Sequence, residues 1–270
     1  AGVLNLPVVF TVQNNQFAYS SPNETEFGTP NVADRGAGYG IPSLIIDGND
    51  IYDVIDSIHE ACENARKGKG PTLIELVTFR HYGHAGHDPA DYVEDEVRDF
   101  WMKRDPIARF EDSLLTEGLF SEDDFIQLES DLETEVKETL EWAKTQEEPD
   151  PKDELNDMFA KRTIPVIENT ENNLQTMNFI EAINNGLDEL MKNDEGVFIM
   201  GEDVGVFEGA FKATKGLFEK YGPFRVIDTA ISEGGFTGAA VGAALAGQKP
   251  IVELQFYDFV YPALDQLTTE

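Results

Sequence analysis

The sequence predicts an α/β protein of two units, each built on a parallel sheet, joined by acidic helices and a polar linker. Three observations carry that expectation. Short apolar, β-branched runs alternate with a segment of helical period in residues 6–77, and the same alternation resumes in residues 177–256. Between them lie acid-rich helical stretches, and then a polar, proline-punctuated tract at residues 146–175.

In the first unit, residues 6–12 read as a buried strand, and residues 41–46 and 72–77 as two more. Residues 50–67 read as the intervening helix, because Ile51, Val54, Ile55, Ile58 and Ala61 recur at helical spacing. A glycine- and histidine-rich loop, residues 81–89, follows the third strand. Two acidic helical stretches come next, and Ser121 is suited to cap the second. The expected organisation is therefore a first domain over residues 1–145, a linker over 146–175 and a second domain over 176–270.

In the second unit, helices are expected at 177–191, 210–220 and 235–247, with a last one starting near 261. Strands are expected at 197–200, 226–228 and 251–256. Nine of the thirteen residues of the helix at 235–247 are glycine or alanine; the glycines lower helix stability, and both residue types keep the helix surface low. It lets another backbone, or a flat ligand, approach closely.

Composition excludes several classes. With 52 acidic against 20 basic residues the formal charge is −32, so nucleic acids and anionic membranes are not expected partners. No apolar stretch approaches the roughly 20 residues of a membrane span. The single cysteine, Cys62, forms no internal disulfide, and a cytoplasmic location is expected. The clustered acids read first as solvated helix faces.

Chemistry-bearing residues stand where the predicted strands end, the place where parallel sheets open a crevice for ligands. Asn14-Asn15-Gln16-Phe17 follows the first strand: its amide and carbonyl oxygens suit either a turn or a hard cation. Arg80, His81, His84 and His87 follow the third strand. Their spacing lacks the paired pattern of a zinc site, and a solvated loop is the plain reading of the residues. Glu202 follows the strand at 197–200, and Glu233 stands between a strand and the small-residue helix. Phe259 reads as a core aromatic and the small-residue helix as a packing surface, unless a ligand lies against them.

The phrases Asp228-Thr-Ala-Ile-Ser-Glu233-Gly-Gly-Phe-Thr-Gly and Gln255-Phe-Tyr-Asp-Phe259 closely resemble the beta half of the thiamine diphosphate-dependent 2-oxo acid dehydrogenases, decarboxylating first component. Asn14-Asn15-Gln-Phe, Asp34-Arg-Gly-Ala-Gly-Tyr-Gly and Arg80-His-Tyr-Gly-His84 resemble the alpha half. The resemblance covers nearly the whole chain, in alpha-then-beta order, and implies two partial thiamine diphosphate-binding folds. It implies that Glu233 hydrogen-bonds the aminopyrimidine of thiamine diphosphate, with Phe259 packed on that ring, Ile231 and Arg80 also among the cofactor-binding residues, and Glu202 in a proton network. It implies that Asn15 and the carbonyl of Phe17 hold Mg²⁺. His84 would approach the diphosphate and assist acyl transfer to lipoate, with Arg80 ordering its loop. Ala85 stands where some relatives carry a regulatory serine. The implied partner is a lipoyl-bearing acyltransferase, and the implied parent a homo-oligomer of a fused chain. A further ligand, the aspartate of a Gly-Asp-Gly element, is absent from this sequence, so the chain is expected to be an internal fragment, inactive alone. Branched-chain 2-oxo acids are favoured as substrate, pyruvate next. A transketolase-like transferase and a non-catalytic acidic interaction module are the alternative readings.

Overall fold

The computed structural model describes residues 1–154, 156 and 176–269. The chain divides into two compact units, Ala1–Ala160 and Lys161–Glu270. Most of the expected linker, residues 146–175, lies outside the described residues.

In the first unit, strands β1 (Val9–Asn14), β4 (Ser43–Asp47) and β5 (Thr72–Val77) form a parallel sheet in the order β1-β5-β4. A two-residue pair, β2 (Phe17–Ala18) and β3 (Ser21–Pro22), forms a separate antiparallel hairpin. β5 has the limits expected from sequence. β1 is displaced from residues 6–12 to Val9–Asn14, because its ladder to β5 runs on to the pair Asn14 and Val77. Nor is β1 a buried strand: it lies at an edge, and Phe10 is exposed, whereas Leu73, Ile74 and Glu75 of the central β5 are buried.

Two short helices that sequence patterning missed, α1 (Asn23–Glu26) and α2 (Arg35–Tyr39), fill the connection from β3 to β4. Helix α3 (Ile51–Arg66) starts at Asp50, whose carboxylate accepts from the backbone N–H groups of Tyr52 and Asp53. Its more covered face runs through Val54, Ile58, Ala61 and Ala65, a helical stripe.

The expected pair of acidic helices is a trio: α4 (Asp95–Met102), α5 (Pro106–Thr116) and α6 (Glu122–Lys144). Pro106 ends one helix and starts the next, since proline fits a first turn, and the Asp105 carboxylate caps it. Helix α4 is anchored by Trp101, stacked on Phe79 at 5.7 Å, within a cluster of Phe79, Ala90 and Val93. Arg104 and Arg109 grip Asp47 at 2.7 and 2.9 Å, tying α5 to the end of β4. Ser121 caps α6 as expected, in a reciprocal box with Asp124, and the helix buries no residue.

In the second unit, α7 (Phe179–Asn193) opens on a capping box of Asn178 and Glu181. Strands β6 (Val197–Gly201), β7 (Val226–Asp228) and β8 (Lys249–Glu253) form a parallel sheet in the order β7-β6-β8. Alternation along β6 feeds two cores. Val197 and Ile199 join Met191, Val204, Leu217 and Val226, while Phe198 and Met200 pack with Phe236 and Ala240 of α9 (Glu233–Leu245). The Arg225 guanidinium donates to the carbonyls of Met191, Asp194 and Val197, closing the α7 end onto β6.

The expected helix at 210–220 is reduced to α8 (Leu217–Tyr221). Gly209, Lys212 and Gly216 have φ of 82°, 63° and 76°, a left-handed backbone that breaks helical continuity. The expected strand at 251–256 is β8, set by its register with β6, in which Glu253 pairs with Gly201. The last helix, α10 (Leu264–Thr268), is preceded by a 3-10 stretch, Tyr257–Ala263, that contains Pro262. Among the described residues no helix is long and apolar enough to cross a membrane.

Candidate functional site

The sheet registers place the expected residues at two carboxyl edges, one in each unit. In the first, Asn14 and Asp47 both pair with Val77, so the loops after β1, β4 and β5 leave the sheet together. Asn15 and Phe17 lie in the first of these loops, Arg80 and His84 in the third.

Arg80 is the brace of this edge. Its backbone N–H donates to the Asn15 carbonyl at 3.4 Å. Its guanidinium donates to the carbonyls of Tyr19 at 2.6 Å, Tyr82 at 3.1 Å and Phe17 at 3.4 Å, and to the Tyr92 hydroxyl at 2.6 Å. His84 is exposed, its ring 4.9 Å from that of Tyr19, and its backbone N–H donates to Asp88 at 2.7 Å. Asp88 also accepts from the Ala90 N–H and the Tyr92 hydroxyl. Desolvation pushes the Asp88 carboxyl up, but these donors and the Arg80 charge outweigh it and hold the group below the ordinary carboxylate value. Among the described residues, no group of three histidines, cysteines or acids is placed to hold a metal.

The donor chemistry at residues 15–17 fits a hard divalent cation. Asn15 Oδ1 accepts from the Phe17 N–H at 3.2 Å, and the Phe17 carbonyl accepts a long bond from Arg80 at 3.4 Å. Each is a neutral oxygen with a second lone pair available.

In the second unit, Glu202, Thr229 and Glu233 stand where β6, β7 and the turn into α9 end. Glu233 is the first residue of α9 and half-buried, and Ile231 just before it is exposed. Thr237 lies one turn along from Glu233, on the same helix face. Glu202 Oε1, Thr229 Oγ1 and Thr237 Oγ1 are buried with no hydrogen-bond partner among the described residues. Unpaired buried polar atoms are costly, and these three lie at or near the start of α9.

Burial raises the Glu202 carboxyl above its ordinary value, and the neighbouring Glu233 charge raises it further, against the pull of the Ser232 N–H. A raised acid pKa means the folded state holds its proton more tightly, so the associated stability is present below the unfolded value and is lost as pH rises through the folded one. Glu202→Gln will therefore gain thermal stability over the parent as pH rises from about 4.5. Melting midpoints across acid to neutral pH measure this; a constant offset would exclude it.

Phe259 is partly exposed in the 3-10 stretch, edge-on to Phe256 at 5.5 Å, which in turn meets Phe211 at 5.5 Å. Phe236 packs in the core with Met200 and Ala240. The small residues of α9 serve packing: a Cβ on Gly234 would lie 2.9 Å from the Pro262 carbonyl, and one on Gly238 2.2 Å from Gln266 Oε1. Sequence reading passed over Gln255, which donates to the Glu202 carbonyl at 3.1 Å, and Asp228, which holds the Gly205 and Val206 N–H groups. Both sit in quoted phrases, but only the fold gives them partners.

The model of the family described as "Dehydrogenase E1 component" matches residues 1–152, more than half of the chain. The chain belongs to that family. The model described as "Transketolase, pyrimidine binding domain" matches residues 175–269. This E1 chain is 36% identical to pyruvate dehydrogenase E1 component subunit alpha of Bacillus subtilis over 161 residues, covering 59% of this chain and 42% of that one. Its second part is 55% identical over 87 residues to mitochondrial pyruvate dehydrogenase E1 component subunit beta-1 of Arabidopsis thaliana, covering 32% of this chain and 24% of that one. It is also 39% identical over 165 residues to the alpha subunit of acetoin:2,6-dichlorophenolindophenol oxidoreductase of Bacillus subtilis, covering 59% of this chain and 48% of that one. The chain thus spans less than half the length of these relatives. An alpha-type part precedes a beta-type part in one E1 chain of the thiamine diphosphate-dependent 2-oxo acid dehydrogenases, on an α/β fold with parallel sheets.

Proposed function

We propose that the protein to which this E1 chain belongs decarboxylates a 2-oxo acid and passes the acyl group to a lipoyl-bearing acyltransferase. The observation that carries this reading is the proximity of Glu233, at the start of α9, to the half-buried Glu202, whose Oε1 has no hydrogen-bond partner among the described residues. Thiamine diphosphate, when bound, supplies an electron sink for the carbanion left by loss of CO₂. Glu233 would hold the aminopyrimidine by a hydrogen bond and would serve there as the proton-exchanging carboxyl. Glu202 lends a second proton-holding group, Ile231 and Phe259 flank the ring, and Gln255 keeps the Glu202 backbone in place. Asn15 Oδ1 and the Phe17 carbonyl hold Mg²⁺, and Arg80 and Asp88 fix the loop that presents His84 to the diphosphate and the acyl acceptor.

The assignment of residues 1–145 as the later part of an alpha-type domain and 176–270 as the earlier part of a beta-type domain belongs to the same proposal. So does the inactivity of these 270 residues alone: Asn15 and Phe17 offer the cation neutral oxygens only, and the sequence contains no Gly-Asp-Gly element. The parent acts as a homo-oligomer.

The phrase at residues 255–266 favours a branched-chain acid, and the names of the pyruvate dehydrogenase relatives favour pyruvate. Decarboxylation by the full-length protein with thiamine diphosphate, Mg²⁺ and an artificial electron acceptor separates them. Turnover of 3-methyl-2-oxobutanoate above that of pyruvate is the expected result. The reverse order changes the substrate only, and turnover of neither acid with cofactor bound overturns the function.

A further inference from the structure

We infer that Glu75, in the middle of β5, is a positioning residue for the cation-binding turn at residues 14–17; the inference rests on the reading of Asn15 and Phe17 as cation ligands. Glu75 is fully buried, in a strand whose other central residues are apolar. A carboxylate there costs desolvation that an isoleucine would not, so it must do something an apolar residue cannot.

Both of its oxygens are used. Oε1 accepts from Asn14 Nδ2 at 2.6 Å, and Oε2 accepts from the Ala33 backbone N–H at 2.7 Å. A carboxylate only accepts, so the Asn14 amide must turn its nitrogen toward Glu75 and its oxygen away. That oxygen accepts from Asn23 Nδ2 at 2.7 Å and from the Gln16 backbone N–H at 3.2 Å. The Gln16 side chain closes the same turn on the Asn14 carbonyl at 3.1 Å. Gln16 is thereby held at φ 75°, a left-handed backbone that a non-glycine residue adopts at a cost. With Gln16 so held, Asn15 Oδ1 and the Phe17 carbonyl come from one tight turn, and Asn15 Oδ1 receives the Phe17 N–H. The order of control runs from Glu75 to Asn14, from Asn14 to Gln16, and from Gln16 to the two oxygens.

Glutamine at position 75 keeps the shape but cannot accept twice. Its oxygen must face the fixed Ala33 N–H, so its amide nitrogen faces Asn14, whose own amide then flips and sets a donor against the Gln16 N–H. The turn loses its clamp while the strand keeps its packing.

The test is Mn²⁺ affinity of the full-length protein at saturating thiamine diphosphate, from the free-ion electron paramagnetic resonance signal, beside the cation-free melting midpoint. Glu75→Gln is expected to raise the Mn²⁺ Kd about 10–100-fold, the range for groups that orient metal ligands. Asn23→Ala, which removes a partner of Asn14 outside the strand, moves Kd the same way with the melting midpoint held. A Kd within about twofold of the parent in these folded variants overturns the inference. Should Glu75→Gln not fold, Asn23→Ala decides alone. Asn15→Ala separates the two levels: loss of Mn²⁺ there, with none in the other variants, overturns the role of Glu75 only. Full Mn²⁺ affinity in Asn15→Ala overturns the ligand reading itself.

Discussion

Glu233→Gln is expected to lower turnover of the full-length enzyme by about 10²–10⁴-fold, the contribution of a positioned acid or base, while cofactor still binds. The change is isosteric and sits at the first turn of a 13-residue helix whose core contacts come from Phe236, Thr237 and Ala240. Losing an acid at a helix start costs about 0.3–1 kcal/mol, too little to unfold the unit. The same substitution removes the neighbouring charge that helps raise Glu202, so the pH at which Glu202 releases its proton should fall. Steady-state rates give the first effect, and the pH dependence of the melting midpoint gives the second. Near-normal turnover in a folded, cofactor-loaded variant would remove Glu233 from the mechanism.

Gly83→Ala is expected to abolish the folded form of the loop that carries His84. A Cβ at position 83 would meet the Asp88 carbonyl oxygen at 1.9 Å and its carbon at 2.7 Å, so backbone must move. Overpacking against backbone costs about 3 kcal/mol, enough to open a loop held by a few hydrogen bonds. Amide exchange at His84, whose N–H is bonded to Asp88, reports the opening. Gly86→Ala is the control, since a Cβ there meets nothing within 4 Å. Equal His84 protection in the Gly83 variant and the parent would contradict the packing argument; activity should fall with protection.

Much of this was legible before any coordinates. The limits of Thr72–Val77 and Val226–Asp228 are legible because each is a short run rich in apolar residues, and the cap Ser121 lies just before a helical stretch; the cap role of Asp50 is not, since periodicity places it inside the helix. The candidate residues were legible through their phrases rather than through periodicity. What failed did so for local reasons. Residues 210–220 have helical composition, yet Gly209, Lys212 and Gly216 take left-handed backbone, and Thr214 donates to the Val204 carbonyl instead of continuing a helix. The hairpin of Phe17–Ala18 with Ser21–Pro22 is too short for any period to announce.

The sequence by itself determined the α/β class, the family phrases and the residue types that can hold a cation or share a proton, because these depend on neighbours along the chain. The tertiary structure alone decided which of those groups are buried, orphaned or paired. Glu75 is the one charged residue of the run 72–77, and nothing along the chain gives it a partner. It becomes the anchor of Asn14, 61 residues away, only through the register of β1 on β5. Glu202 alone in sequence is an ordinary acid, and its raised carboxyl follows from burial and from the Glu233 charge, 31 positions along the chain, brought beside it by the fold. Burial and charge proximity are properties of distance in space, and sheet register sets that distance where local propensity cannot.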